Sequence, residues 1–142
     1  RDIHPSIAQG VVDKLKDKYN ILHICYEFHP ILNNCIRYPN IISKKELFST
    51  LFWSEKRLLI DSSLQHAAAA MGLPSVVAWI GTQPEVFGYP FHNNLKPAKE
   101  FPRGLVDSHL YDYSFAGVIH ECPYDKPEDM YDVDTIVNAV LA

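Results

Sequence analysis

Five residues capable of chemistry stand together behind an apolar run: Asp61, Ser62, Ser63, Gln65 and His66 follow Leu58-Leu59-Ile60. The apolar run reads as a buried strand, and Leu64 to Met71, with four successive alanines, reads as a short helix. The polar residues then lie at the start of that helix. There, unpaired N–H groups and the positive end of the helix dipole make an anion site. In an open parallel sheet, ligands collect at this kind of junction, outside the carboxyl ends of the strands. The hydroxyls of Ser62 and Ser63 suit either helix capping or a phosphate, and His66 falls in the first turn. Asp-Ser-Ser before a helix is equally an ordinary N-cap, and His66 can serve simply to bind a backbone carbonyl. The residues alone weigh the two readings evenly.

The elements that must position this cluster alternate along the chain. Pro5 to Tyr19 is expected to be an amphipathic helix, with Ile7, Val11, Leu15 and Tyr19 recurring every four residues. Proline suits its first turn, whereas Gly10 weakens its middle. Ile21 to Tyr26 reads as a strand buried on both faces. Glu27 to Asn40, with Pro30, Asn33, Asn34 and Pro39, reads as loop, with a short strand at Asn40 to Ile42. Ser43 and Glu46 form a capping box ahead of a helix to Phe52, with Leu47, Phe48, Leu51 and Phe52 on one face. After the central strand and helix, Gly72-Leu73-Pro74 stops the helix, and Ser75 to Ile80 is a second apolar strand. A proline- and glycine-rich loop follows, a short strand is expected at Gly117 to Glu121, and Val133 to Leu141 closes as a helix. Lys96 to Tyr113 reads as a structural meander. Such alternation predicts an α/β fold with one mainly parallel sheet of about four to five strands.

Composition narrows the partners. A 142-residue chain with 47% hydrophobic and 21% charged residues is one soluble globular domain able to bury a core. Its net charge of −4 and scattered lysines argue against a nucleic-acid surface. No apolar run reaches the ~20 residues of a membrane span. Three cysteines without a paired motif, Cys25, Cys35 and Cys122, suit a reduced, cytoplasmic setting better than a disulfide framework. The chain opens on Arg1 rather than methionine, which suggests an excised piece of something longer. Neither the dinucleotide fingerprint nor the P-loop is present.

The run from Ile60 through Asp61-Ser62-Ser63, His66, Ala67 to Ala70 and Gly72-Leu73-Pro74, then Trp79, Gly81-Thr82 and Pro84, resembles the C-terminal signature of glycosyltransferase family 9. This is the family of the ADP-heptose lipopolysaccharide heptosyltransferases. The spacing matches without a gap over about 25 residues, and the resemblance extends from Pro5 to about Leu95. The departures are Ser63, where the family prefers glycine, Gln65, and the all-alanine helix. The resemblance implies a GT-B architecture of two Rossmann-like domains, of which this chain, residues 1–142, is the donor-binding domain. On that reading it is a Rossmann-like, mainly parallel sheet flanked by helices.

The implied ligand is a nucleotide diphosphate sugar, approached by Asp61, Ser62, Ser63, Gln65 and His66, with Gly81 and Thr82 on the opposite wall. Glu27 becomes the candidate for the ribose. The implied setting is lipopolysaccharide or surface-glycan synthesis in a bacterial cytoplasm, with peripheral membrane association through the full-length enzyme. The first strand of the family's domain, with its phosphate-binding lysine, falls before Arg1. The catalytic base belongs to the missing N-terminal domain, so the chain alone is expected to be inactive; no metal or cofactor is expected.

Two rivals remain. His23, Cys25 and His29, with His120 and Cys122, carry a weak zinc reading, because alternate strand residues share a face. Trp53, Trp79, Phe87, Tyr89 and Phe91 suit an aromatic docking surface on a non-catalytic binding domain. His92, Asp107 and His109 lack a nucleophile-elbow spacing and read as surface polar residues.

Overall fold

The computed structural model describes residues 3–39, 43–80, 82–98 and 126–142. Helix α1 (Pro5–Leu15) starts where the Nδ1 of His4 accepts from the Ser6 N–H, and it buries Ile7, Val11, Val12 and Leu15. It is shorter than the periodicity predicts. Tyr19 lies beyond its end but still packs against the same core. Strand β1 (Leu22–Cys25) follows, then β2 (Ile36–Pro39), paired with β1 in parallel. The loop expected over Glu27 to Asn40 therefore ends in a strand, which Pro39 tolerates because β2 lies at a sheet edge.

Helix α2 (Lys44–Trp53) is capped by Ser43, whose Oγ accepts from the Glu46 N–H at 3.1 Å. Only Leu51 of its expected apolar face is buried; Phe48 and Phe52 are exposed. Next come β3 (Leu58–Ile60), α3 (Ser63–Ala70) and β4 (Val76–Ala78). At the end of α3, Gly72 has φ +67°, and the Leu73 N–H bonds to the Ala68 carbonyl at 2.9 Å. This is a left-handed helix stop, where a side chain would be strained. The chain continues as α4 (Pro84–Phe87) and β5 (Asn93–Leu95); a 3-10 turn at Pro127–Met130 then leads into α5 (Val133–Leu141). In α5, Ile136, Val137 and Val140 are buried, whereas Leu141 is exposed. The expected strands at Asn40 to Ile42 and Gly117 to Glu121 lie wholly outside the described residues, and the meander does so after Ala98.

The fold is mixed α/β, with short parallel strands flanked by helices. Among the described residues, the single sheet expected from the sequence is replaced by two. One has the order β1-β2 and the other β3-β4-β5, and every pairing is parallel. Period-two alternation sends the residues of β4 and its extension into separate layers. Val76, Ala78 and Ile80 join Ile7, Val11, Leu15, Ile136 and Val140 in one core, whereas Val77 and Trp79 join Leu51, Leu59 and Ala68 in the other. Helices α1 and α5 thus cover one face, and α2 and α3 cover the other. Gly10 permits close approach of the first pair, since a Cβ there would stand 2.9 Å from Val133 Cγ2. Among the described residues, no helix is long and apolar enough to cross a membrane.

Candidate functional site

The junction after β3 is built from local chemistry. Ser62 adopts extended backbone, and its Oγ accepts from the Leu64 N–H at 3.3 Å, so it is the N-cap of α3. Ser63 opens the helix and is exposed, and Ser62 is half-buried. Both serines line a cavity of about 1590 Å³ that runs past the carboxyl end of β3. The start of α3 therefore borders the cavity, with the Leu64 and Gln65 N–H groups already bonded to the Ser62 hydroxyl and carbonyl.

Asp61 has a different task. Its Oδ2 accepts from the Thr82 Oγ1 at 2.5 Å, and the residue is 9% exposed. Asp61 follows β3 and Thr82 lies just past β4, so this bond ties together the carboxyl ends of two adjacent strands. Gly81 lies outside the described residues.

Gln65 points inward. It is fully buried, its Nε2 donates to the Phe87 carbonyl at 3.1 Å, and its Oε1 has no partner among the described residues. An unmet buried acceptor costs on the order of 1–3 kcal/mol. His66 is exposed; its Nδ1 lies 3.0 Å from the Tyr89 hydroxyl, and the two rings meet edge to face.

Behind them stands His92, expected at the surface but only 5% exposed. Its Nδ1 accepts from the Ser75 N–H at 3.2 Å, which leaves Nε2 to donate to the Gln65 carbonyl at 3.2 Å. That pattern requires a neutral ring. Burial is the first cause holding its pKa below the ordinary histidine value. The carbonyl of Gln65 opposes this, and Arg57 and His66 add to it. His92 thus locks the start of β4 to α3. Only the Phe-His-Asn step into an unrecognised strand could have signalled this role.

Glu27 sits in the turn after β1, exposed, with its carbonyl accepting from Arg37 Nη2 at 2.7 Å. Its neighbours Tyr26 and His29 line the same cavity as Ser62 and Ser63. The site residues therefore divide into three groups. Ser62 and Ser63 face the cavity, with Glu27 in the turn that borders it. Asp61 and Thr82 brace the strand ends. Gln65 and His66 join Tyr89 and His92 in a second cluster.

Among the described residues, the His23, Cys25 and His29 region gathers no further ligands. Among the described residues, no three His, Cys, Asp or Glu side chains are placed to hold a metal ion, and His120 and Cys122 lie outside them. Burial lowers the His23 pKa, with His29 and Arg37 acting in the same direction. The aromatic surface must also be redrawn, because Trp79 is fully buried and its Nε1 donates to Asn94 Oδ1 at 2.9 Å. No protein-family model, curated protein or solved structure matches this chain.

Proposed function

We propose that this chain is the nucleotide-sugar-binding domain of a bacterial glycosyltransferase, a Rossmann-like half of a two-domain enzyme. The observation carrying this reading is the pair of serines at the start of α3, which border a cavity. Ser62 and Ser63 stand at the carboxyl end of a parallel strand and line a large cavity at the positive end of the α3 dipole. A donor diphosphate would accept from the hydroxyls of Ser62 and Ser63, while Glu27, in the turn bordering the cavity, is the group for a ribose hydroxyl. An acceptor hydroxyl attacks the anomeric carbon, the bond from that carbon to the diphosphate oxygen breaks, and the hydroxyl proton passes to a base in the other domain. Donors fixed at the helix start stabilise the charge gathering on the leaving diphosphate. One such contact is typically worth about 2–4 kcal/mol of barrier. Asp61, Thr82, Gln65 and His66 hold the strand ends and the helix in place for this. The corresponding setting is the cytoplasm, at the inner face of the membrane through the full-length enzyme.

Thermal unfolding in the presence of ADP, GDP, UDP and their sugars tests the reading. At about 100 times its dissociation constant a ligand adds about 2.7 kcal/mol of stability. The chain with both Ser62→Ala and Ser63→Ala should lose most of that gain. No stabilisation by any nucleotide rejects the reading. So would sugar transfer by the isolated chain above that of a His66→Ala control, because the base is placed elsewhere.

A specific observation favours a second reading, a non-catalytic interaction domain. Tyr26 and Phe28 stack with centroids 5.5 Å apart while 66% and 81% exposed, and Trp53 is 82% exposed. Indifference to every nucleotide would favour this alternative.

A further inference from the structure

The cavity beside α3 has a shape that the donor-binding reading does not explain. All four residues of β1 and all three of β3 line it. A cavity lying over one face of a strand meets alternate residues, because successive side chains point to opposite faces. A cavity that meets every residue runs along the strand edge. One layer over it is α1, through Val11 and Leu15, and the other is α2 and α3, through Leu47 and Leu64. It is a slot between two strand edges, roofed and floored by apolar side chains.

The hydrogen-bond register shows what the slot is equipped to take. Ile36 N–H donates to the Ile21 carbonyl, and Val76 N–H donates to the Arg57 carbonyl, at 2.8 and 2.9 Å. Along a strand the N–H and C=O of one residue point to one side, and those of the next residue to the other. Ile21, His23 and Cys25 therefore face β2, and Arg57 and Leu59 face β4. By the same alternation the backbone groups of Leu22, Ile24, Leu58 and Ile60 point into the slot. Among the described residues, β1 pairs only with β2 and β3 only with β4. Among the described residues these are two facing ladders of unmet donors and acceptors between apolar layers, complementary to extended polypeptide and to little else.

We infer that the slot is the seat of one further β-strand, apolar on both faces and parallel to β1 and β3, which joins the two sheets into one. The occupant is polypeptide connected to the amino side of α1. Ile3, His4 and Pro5 lie at the cavity, and α1 already leads directly into β1. A strand entering α1 and lying beside β1 completes a strand–helix–strand unit of the usual parallel kind. The inference rests on the two strand edges and is independent of the nucleotide reading. Ser62 and Ser63 stay at the rim in either case.

Amide hydrogen exchange tests it by NMR. In the 142-residue chain, Leu22, Ile24, Leu58 and Ile60 should exchange at least about tenfold faster than His23, Cys25 and Leu59 between them. A chain extended ahead of Arg1 by a glycine-serine linker and a short valine-isoleucine strand should protect all four amides. The same extension with proline at alternate positions should protect none. Four slow amides in the unextended chain, whether dilute or only at concentrations where it dimerises, overturn the inference. Equal exchange with both extensions does so too. Nucleotide binding read in parallel on the unextended chain separates the fate of this inference from that of the donor site.

Discussion

The two sheets among the described residues are both built of short parallel strands but live in different surroundings. Every residue of β4 is buried, and its alternating side chains enter two separate cores. In β1 and β2 only Cys25 is buried, whereas Leu22 and Ile36 are 38% and 59% exposed. The difference lies in cover as well as composition, since β1 and β2 carry His23, Arg37 and Tyr38 where β4 is Val-Val-Ala. Helices α1, α5, α2 and α3 close over β4, while the strand edges facing the slot and the outer face of β2 have less within the described residues to close them. The part rich in long-range packing therefore holds the stability, and the sparsely covered part holds the surfaces available to other molecules.

The sharpest way to break this contrast is at Trp79. Trp79→Ala removes the largest fully buried side chain and strands Asn94, so urea unfolding should show a loss of about 3–5 kcal/mol. Asp61→Ala comes next. It leaves the Thr82 hydroxyl without its acceptor and unties the ends of β3 and β4, for about 1–3 kcal/mol in the same measurement. Gly72→Ala meets no atoms within 4 Å but strains a backbone at φ +67°, which should cost about 1 kcal/mol. Ile36→Ala, on the exposed sheet, should fall within about 0.5 kcal/mol of the parent.

Acidification probes the same comparison through histidine. His92 and His23, one in each region, both have folded-state pKa values held below the ordinary value near 6.5, first by burial. The unfolded chain then binds protons before the folded one does. Stability is fully present above about pH 6.5 and is lost as pH falls through the lowered folded values. The melting temperature should drop from pH 7.5 to pH 5. His92→Asn should flatten that slope at some cost in stability at pH 7.5. An unchanged slope would mean that the Ser75 and Gln65 bonds do not hold the ring neutral.

Much of the architecture was legible residue by residue. The spacing of Ile7, Val11 and Leu15, the Ser43 cap, the Ser62 turn, and the Gly72 stop each depend on neighbours a few positions away. What the sequence missed is equally particular. Strand β5 is Asn-Asn-Leu, which carries no strand pattern and exists because it pairs with β4. Strand β2 hides in a proline-containing run and is held by β1. At the site, the serines at the helix start could be read directly. The inward turn of Gln65 and the burial of His92 could not, because both follow from a loop folding back over α3.

By itself, then, the sequence determined the alternation of strand and helix and the polar start of α3, since periodicity and capping act over one or two turns of chain. Only the tertiary structure decided that the strands divide into two sheets, that Trp79 and His92 are interior, and that a slot separates β1 from β3. Those outcomes depend on which distant edges and faces meet, and no local pattern encodes the identity of a distant partner.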